Sequence, residues 1–191
     1  SEDLSVWNLF VAEQASFAEA FCYAVMKGMS PTGIHKSIIT KCVMQIYEKA
    51  FQDRKHRQPL LSDFYHLLQE YEKENPRDEQ ETREIYKPLE AYCTGTFDMF
   101  ARSSNLDIRN RFVVFGLKNI SSEMWEPVML VVMHLLSQRI NYNQKYQRAT
   151  HFIIDEGQVV CRTESSAEQL NKAFLTYRKF GGICTLVVQN M

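Results

Sequence analysis

Through roughly the first hundred residues, apolar positions recur every three to four places, the spacing of one helix face after another. The stretch "DLSVWNLFVAEQASFAEAFCYAVMKG" carries Phe10, Phe17 and Phe21 at that spacing and stops at Gly28, ahead of a turn-forming "SPTG". A second helix is expected through "IHKSIITKCVMQIYEKAF", and "QPLLSDFYHLLQEY" offers Ser62 as the N-cap of a short third. The charged "EKENPRDEQET" then reads as a solvated connection, followed by "REIYKPLEAY", where Pro88 leaves the helix boundary open. No strand is indicated before residue 110.

From there the pattern changes to short unbroken runs of β-branched and aromatic residues. "RFVVFGL" (Arg111 to Leu117) has the composition and length of a strand. "SEMWEPVMLVVMHLLSQRI" follows as a helix apolar on most sides, and hence well buried. A polar "NYNQKYQRAT" returns the chain to a second strand, "HFIID". "SSAEQLNKAFLTYRKF" is a helix closed by Gly181 and Gly182, and "ICTLVVQ" a third strand. Strand, helix, strand, helix, strand is the order of parallel pairing with crossover helices. The chain therefore divides into a helical subdomain over residues 1–105 and an α/β part over 106–191.

Composition changes this picture little. The 191 residues are 45% hydrophobic, enough for a core, and 22 basic against 23 acidic side chains leave no whole-molecule field to attract a polyanion. The five cysteines form no C-x-x-C pair, which favours a reducing compartment, and the five histidines show no metal-ligand spacing, so no metal held by protein ligands alone is expected. Cys93 has no His nearby in sequence to make it a nucleophile. The apolar run from Pro127 to Leu136 is too short to span a bilayer, and the acidic start lacks the basic segment of a signal peptide.

The candidate chemistry lies where the second strand ends. Ligands of open parallel sheets bind at the carboxyl ends of the strands, and "HFIIDEGQ" places Asp155 and Glu156 there. Two acids beside an apolar interior are costly unless something uses them. Asp155 could hold Mg²⁺ through water near nucleotide phosphates, and Glu156 could orient or deprotonate an attacking water, the arrangement known as Walker B. A solvated turn is the plain alternative. Gln189, ending the next strand, falls in reach of a γ-phosphate or its water, while Arg178 and Lys179, ahead of the glycine pair, either complement a helix C-terminus or stabilise phosphate charge across a subunit boundary.

On "HFIIDEGQ", "FLTYRKFGGICTLVVQN", "LEAYCTGTFDMFA" and "RFVVFGLKNI", the second half of the chain resembles the ATPases of type IV secretion and conjugative DNA transfer, the CagE/TrbE group, which are more distantly related to the FtsK/HerA motors. The resemblance implies an α/β fold with a partial RecA-like parallel sheet, the helical first half being an insertion in the motor domain. It implies Asp155 and Glu156 as Walker B, Arg178 and Lys179 as an active-site motif and Gln189 as sensor. It also implies ATP and Mg²⁺ as ligands of the parent protein, a hexamer within a secretion or conjugation complex, DNA as an optional partner, and a cytoplasmic position against a bacterial inner membrane. This sequence departs from the family in having Gly157 where Ala is usual and Val188 where Thr is usual, and it contains no G-x-x-x-x-G-K-[ST]. The expectation is an internal piece of a larger motor that binds ATP poorly by itself. A DNA-translocating coupling protein of the HerA type, or a non-catalytic helical interaction module presenting Trp7, Phe10, Phe17, Phe21 and Tyr23, are the alternatives.

Overall fold

The computed structural model describes residues 2–53, 58–104, 110–161 and 164–188. The chain forms two compact units, Ser1–Leu106 and Asp107–Met191. Among the described residues no helix is long and apolar enough to cross a membrane.

The first unit is built from α1 (Glu2–Val25), α2 (Gly33–Gln52), α3 (Leu61–Glu74) and α4 (Glu79–Cys93). Their inward stripes supply a core of Ile38, Ile39, Leu68, Ile85 and Leu89, joined by Met26 just past the end of α1, all essentially sealed from water. Phe21 meets Tyr92 edge-on with ring centroids 5.8 Å apart, an arrangement the aromatic quadrupole favours. After α1 the chain reverses through Gly28, whose φ of 80° is the left-handed region that glycine enters without penalty.

One local expectation is corrected, and one boundary left open by the sequence is decided. Ser62 does not cap α3: Leu60 holds the N-cap position, and its N–H donates to the Asp63 carboxylate at 2.8 Å. The helix starts at Leu61, so Ser62 lies inside its first turn, and the Asp63 carboxylate serves the N–H of the N-cap residue itself. Pro88 does not end α4, which runs on to Cys93. The missing N–H forfeits one bond, and burial of Leu89 and Tyr92 on the same face outweighs it.

Polar side chains tie α2, α3 and α4 together. The buried His35 accepts the Thr32 N–H at Nδ1 (3.0 Å), which leaves Nε2–H to donate to Glu84 at 3.0 Å. Glu72 accepts from the Tyr86 hydroxyl at 2.8 Å and from Arg83 Nε at 2.9 Å, so its carboxyl titrates below its usual value, chiefly because Tyr86 hydrogen-bonds the charged form. Glu84 is lowered too, by Gln80 first and His35 second. Folding therefore releases protons from both groups on the acid side. Their contribution is complete above the usual carboxylate value of 4.5 and is lost as pH falls through the lower folded values. Urea unfolding should accordingly show a stability decline below that pH that is shallower in Glu72→Gln. Parallel curves for the two proteins would show that Glu72 contributes nothing to it.

The second unit comprises α5 (Ser122–Lys145), β1 (Thr150–Ile154), α6 (Gly157–Val160), α7 (Glu164–Tyr177) and β2 (Gly182–Leu186). The two strands pair in parallel, Thr150 opposite Gly182 and Ile154 opposite Leu186, with α7 as the crossover. The fold is α/β with a short parallel sheet. One face of that sheet is covered: Phe152 and Cys184 pack on Ile140, Ala173 and Tyr177, and Ile154 packs on Trp125, Met129, Val160 and Leu170. His151, Ile153 and Ile183 on the other face are exposed.

The expected first strand is not formed. Residues 113–117 run without assigned secondary structure and join no sheet among the described residues. A β-rich composition makes a strand only where a ladder partner takes its N–H and C=O groups. Here Phe112 and Val114 are 84% and 73% exposed, and only Leu117 and Ile120 reach the cluster around Trp125. For a related reason α5 is less buried than its apolar sequence suggested. It caps one side of a two-stranded sheet, and residues 130–137 remain half-exposed.

Candidate functional site

The site is organised where β1 ends. Alternation along the strand turns Phe152 and Ile154 inward, and the next residue, Asp155, emerges into solvent beyond the ladder. Its Oδ1 accepts the Glu156 N–H at 3.0 Å. Glu156, also exposed, has φ 52° and ψ 50°, a left-handed conformation that costs a side-chain-bearing residue about 1 kcal/mol. Strain of this kind persists only where the surroundings enforce it.

Those surroundings are two backbone bonds to one residue of the loop after β2. The Val187 N–H donates to the Ile154 carbonyl at 2.8 Å, and the Gly157 N–H donates to the Val187 carbonyl, also at 2.8 Å. The Asp155–Glu156 turn is thereby clamped between the last ladder residue and the first turn of α6. Gly157 is buried against β2: a Cβ added there would lie 2.2 Å from Leu186 Cδ1 and 2.6 Å from Cγ. Leu186 thus occupies the space that an alanine at this position needs. Gly157→Ala should destabilise the second unit by about 1–2 kcal/mol by overpacking. Leu186→Ala in the same chain should recover part of the loss, a coupling that a double-mutant cycle in urea would read. Additive effects would mean that the contact does not set the turn.

The residues singled out in the sequence are not all brought together. Asp155 and Glu156 are adjacent at the carboxyl end of β1. Arg178 and Lys179 are exposed in a 3-10 turn, Arg178–Phe180, at the opposite end of the sheet, where the Gly181 carbonyl accepts the Thr150 N–H at 3.0 Å. The length of β1, about 16 Å, separates them from the acids. Gln189 lies outside the described residues. Three features of the turn were not read from sequence: the short α6, the left-handed Glu156, and the clamp through Val187. Only the glycine after the acid pair hinted at a tight approach.

A magnesium ion can be tested against these groups. Among the described residues no three His, Cys, Asp or Glu side chains converge closely enough to hold a metal. A single exposed carboxylate at a strand end does suit an ion that keeps most of its water and takes its other ligands from phosphate oxygens.

Comparison with known proteins adds a decisive observation. Residues 29–191 match the TraG P-loop domain. The chain belongs to that family. The match agrees with the resemblance to conjugation and type IV secretion ATPases that the sequence motifs carry. The chain's fold is similar to the structure of VirB4 of Thermoanaerobacter pseudethanolicus, with a TM-score of 0.67 at 17% identity. The match covers 96% of this chain and 50% of VirB4, so the chain spans about half the length of that relative. No curated protein matches the sequence.

Proposed function

We propose that this chain supplies the water-activating half of an ATP-hydrolysing motor that energises conjugative DNA transfer or type IV protein secretion. The observation that carries the reading is the clamped, left-handed turn presenting Asp155 and Glu156 beyond a parallel strand. It is supported by membership of the TraG P-loop domain family.

In this reading Asp155 holds Mg²⁺ through water, and the ion supplies charge neutralisation at the nucleotide phosphates when bound. Oδ1 of Asp155 is engaged by the Glu156 N–H, which fixes the carboxylate plane and leaves Oδ2 for the hydrated ion. Glu156 orients the attacking water and accepts its proton. The two carboxylates leave the backbone at successive residues, one in the strand direction and one from the left-handed position, and so serve different partners. Gln189, by its place in sequence two residues beyond Val187, would sense the γ-phosphate beside them. The phosphate cradle itself is no part of this sequence, which contains no G-x-x-x-x-G-K-[ST].

Arg178 and Lys179, at the far end of the same sheet, are assigned to a neighbouring subunit's nucleotide rather than to their own. A ring of subunits is the assembly that this requires, and a cytoplasmic position against the inner membrane is the matching location. Glu156→Gln, alone and mixed with Arg178→Ala, tests both assignments.

A further inference from the structure

Helix α2 carries a second stripe that its own unit does not use. Ile38, Ile39, Cys42 and Ile46 face the core and are buried. On the opposite side of the helix Ile34, Ser37, Lys41, Met44, Glu48 and Phe51 follow one another at alternating intervals of three and four residues, and every one of them is exposed. That alternation is the contact seam of a coiled coil. Its apolar members stand well out in water, Ile34 at 47%, Met44 at 44% and Phe51 at 68% exposure. At the Phe51 end the apolar surface widens onto α1, where the Trp7 ring lies 5.1 Å from the Phe51 ring and Leu9 is 73% exposed.

The two charges on the stripe decide what can lie against it. Among the described residues Lys41 and Glu48 form no ion pair, and two helical turns, about 10 Å, keep them from each other. A lipid surface is excluded by a lysine and a glutamate in the middle of the stripe. A second α2 laid parallel would set Lys41 on the partner's Lys41 and Glu48 on the partner's Glu48, two repulsions. Laid antiparallel, where the first apolar position of each heptad meets the fourth, Ile34 falls opposite the partner's Phe51, Ser37 opposite the partner's Glu48 and Lys41 opposite the partner's Met44. Lys41 then stands one layer, about 5 Å along the axis, from the partner's Glu48, within reach of its four-carbon stem.

This register reads the same from either chain, as a two-fold axis requires, and fills each layer of the stripe. We propose that the outer face of α2 is the seam of an antiparallel two-fold pair with a second copy of this chain, its direction set by Lys41 and the partner's Glu48. The helix is already held by the core beneath it, so pairing does not have to nucleate it. A ring closes head to tail through two different patches, whereas this seam is one patch meeting itself, so it joins chains in pairs and does not build a ring. The proposal does not depend on ATP hydrolysis.

The test is sedimentation equilibrium of the 191-residue chain from about 5 to 500 µM, the range in which a small, transient interface shows itself. The mass should rise toward that of a dimer and stop there. Lys41→Glu alone and Glu48→Lys alone each set like charges together in both symmetric halves of the seam and should weaken the dimer about tenfold or more. The double variant Lys41→Glu with Glu48→Lys restores opposite signs across the two-fold and should recover parental association, a rescue that a merely structural role of either residue would not give. A chain monomeric throughout the range would overturn the proposal and leave the stripe to a different protein. So would growth past the dimer, dimers indifferent to the single reversals, or a double variant as weak as the singles with an unchanged circular dichroism spectrum.

Discussion

Glu156→Gln is expected to lower ATP turnover by about 10²–10⁴-fold while nucleotide affinity is kept, when measured in a polypeptide that joins this chain to its phosphate-binding loop. The amide matches the carboxylate in size and can occupy the same left-handed position, so the clamp through Val187 and Gly157 should survive. What is lost is the proton acceptor. Arg178→Ala should also reduce turnover, for a different reason: its guanidinium emerges at the other end of β1 and serves a neighbour. Mixing the two inactive proteins therefore places some intact Glu156 sites against intact Arg178 side chains, and a fraction of activity should return. Full activity of Glu156→Gln alone would reduce the acid pair to a solvated turn and favour a non-catalytic role for the chain. Loss in both variants without recovery on mixing would return Arg178 to a role within its own subunit.

The largest effect on stability is expected at Gly182. A Cβ there would lie 2.7 Å from Tyr177 Cβ, 2.9 Å from the Tyr177 carbonyl oxygen and 3.2 Å from Ile140 Cδ1. Unlike the Leu186 contact at Gly157, two of these atoms are main chain or directly attached to it and cannot rotate away. The preceding Gly181 has φ 79°, so the whole turn from Tyr177 into β2 depends on the glycine pair. Gly182→Ala should cost roughly 3 kcal/mol, the upper end for overpacking. Tyr177 is held by its hydroxyl, which donates to the Met133 carbonyl at 3.1 Å, so the neighbour has little freedom to yield. The chain has two tryptophans, and with Trp7→Phe as background the buried Trp125 reports the second unit in a urea titration. Gly116→Ala, where an added Cβ meets nothing within 4 Å, is the control and should fall within about 0.5 kcal/mol of the parent. A Gly182→Ala midpoint equal to that control would mean that the turn can open at no cost.

Helices α1 to α4 were legible because their periodicity is local and repeated over many turns, and the glycine at position 28 marked where the first must reverse. The strand pair was legible from two apolar runs separated by one helix, since parallel pairing demands such a crossover. The acid pair was legible because charge at the end of an apolar strand is costly without a purpose. "RFVVFGL" misled for the same physical reason that makes strands hard to read: its residues suit a sheet, but a sheet is made by hydrogen bonds to another segment, and none is supplied here among the described residues. Ser62 misled because the helix starts one residue before it, at Leu61, which places the serine inside the first turn.

The sequence by itself determined which residues could do chemistry, Asp155 and Glu156 above all, and that they follow a strand. Only the tertiary structure decided that Glu156 is held left-handed by Val187, that Leu186 fills the place of a Gly157 side chain, and that Arg178 and Lys179 stand a strand's length from the acids. Periodicity reports how a segment meets a generic interior, whereas these three outcomes depend on contacts between residues about thirty positions apart, whose register is fixed only when β1 and β2 pair.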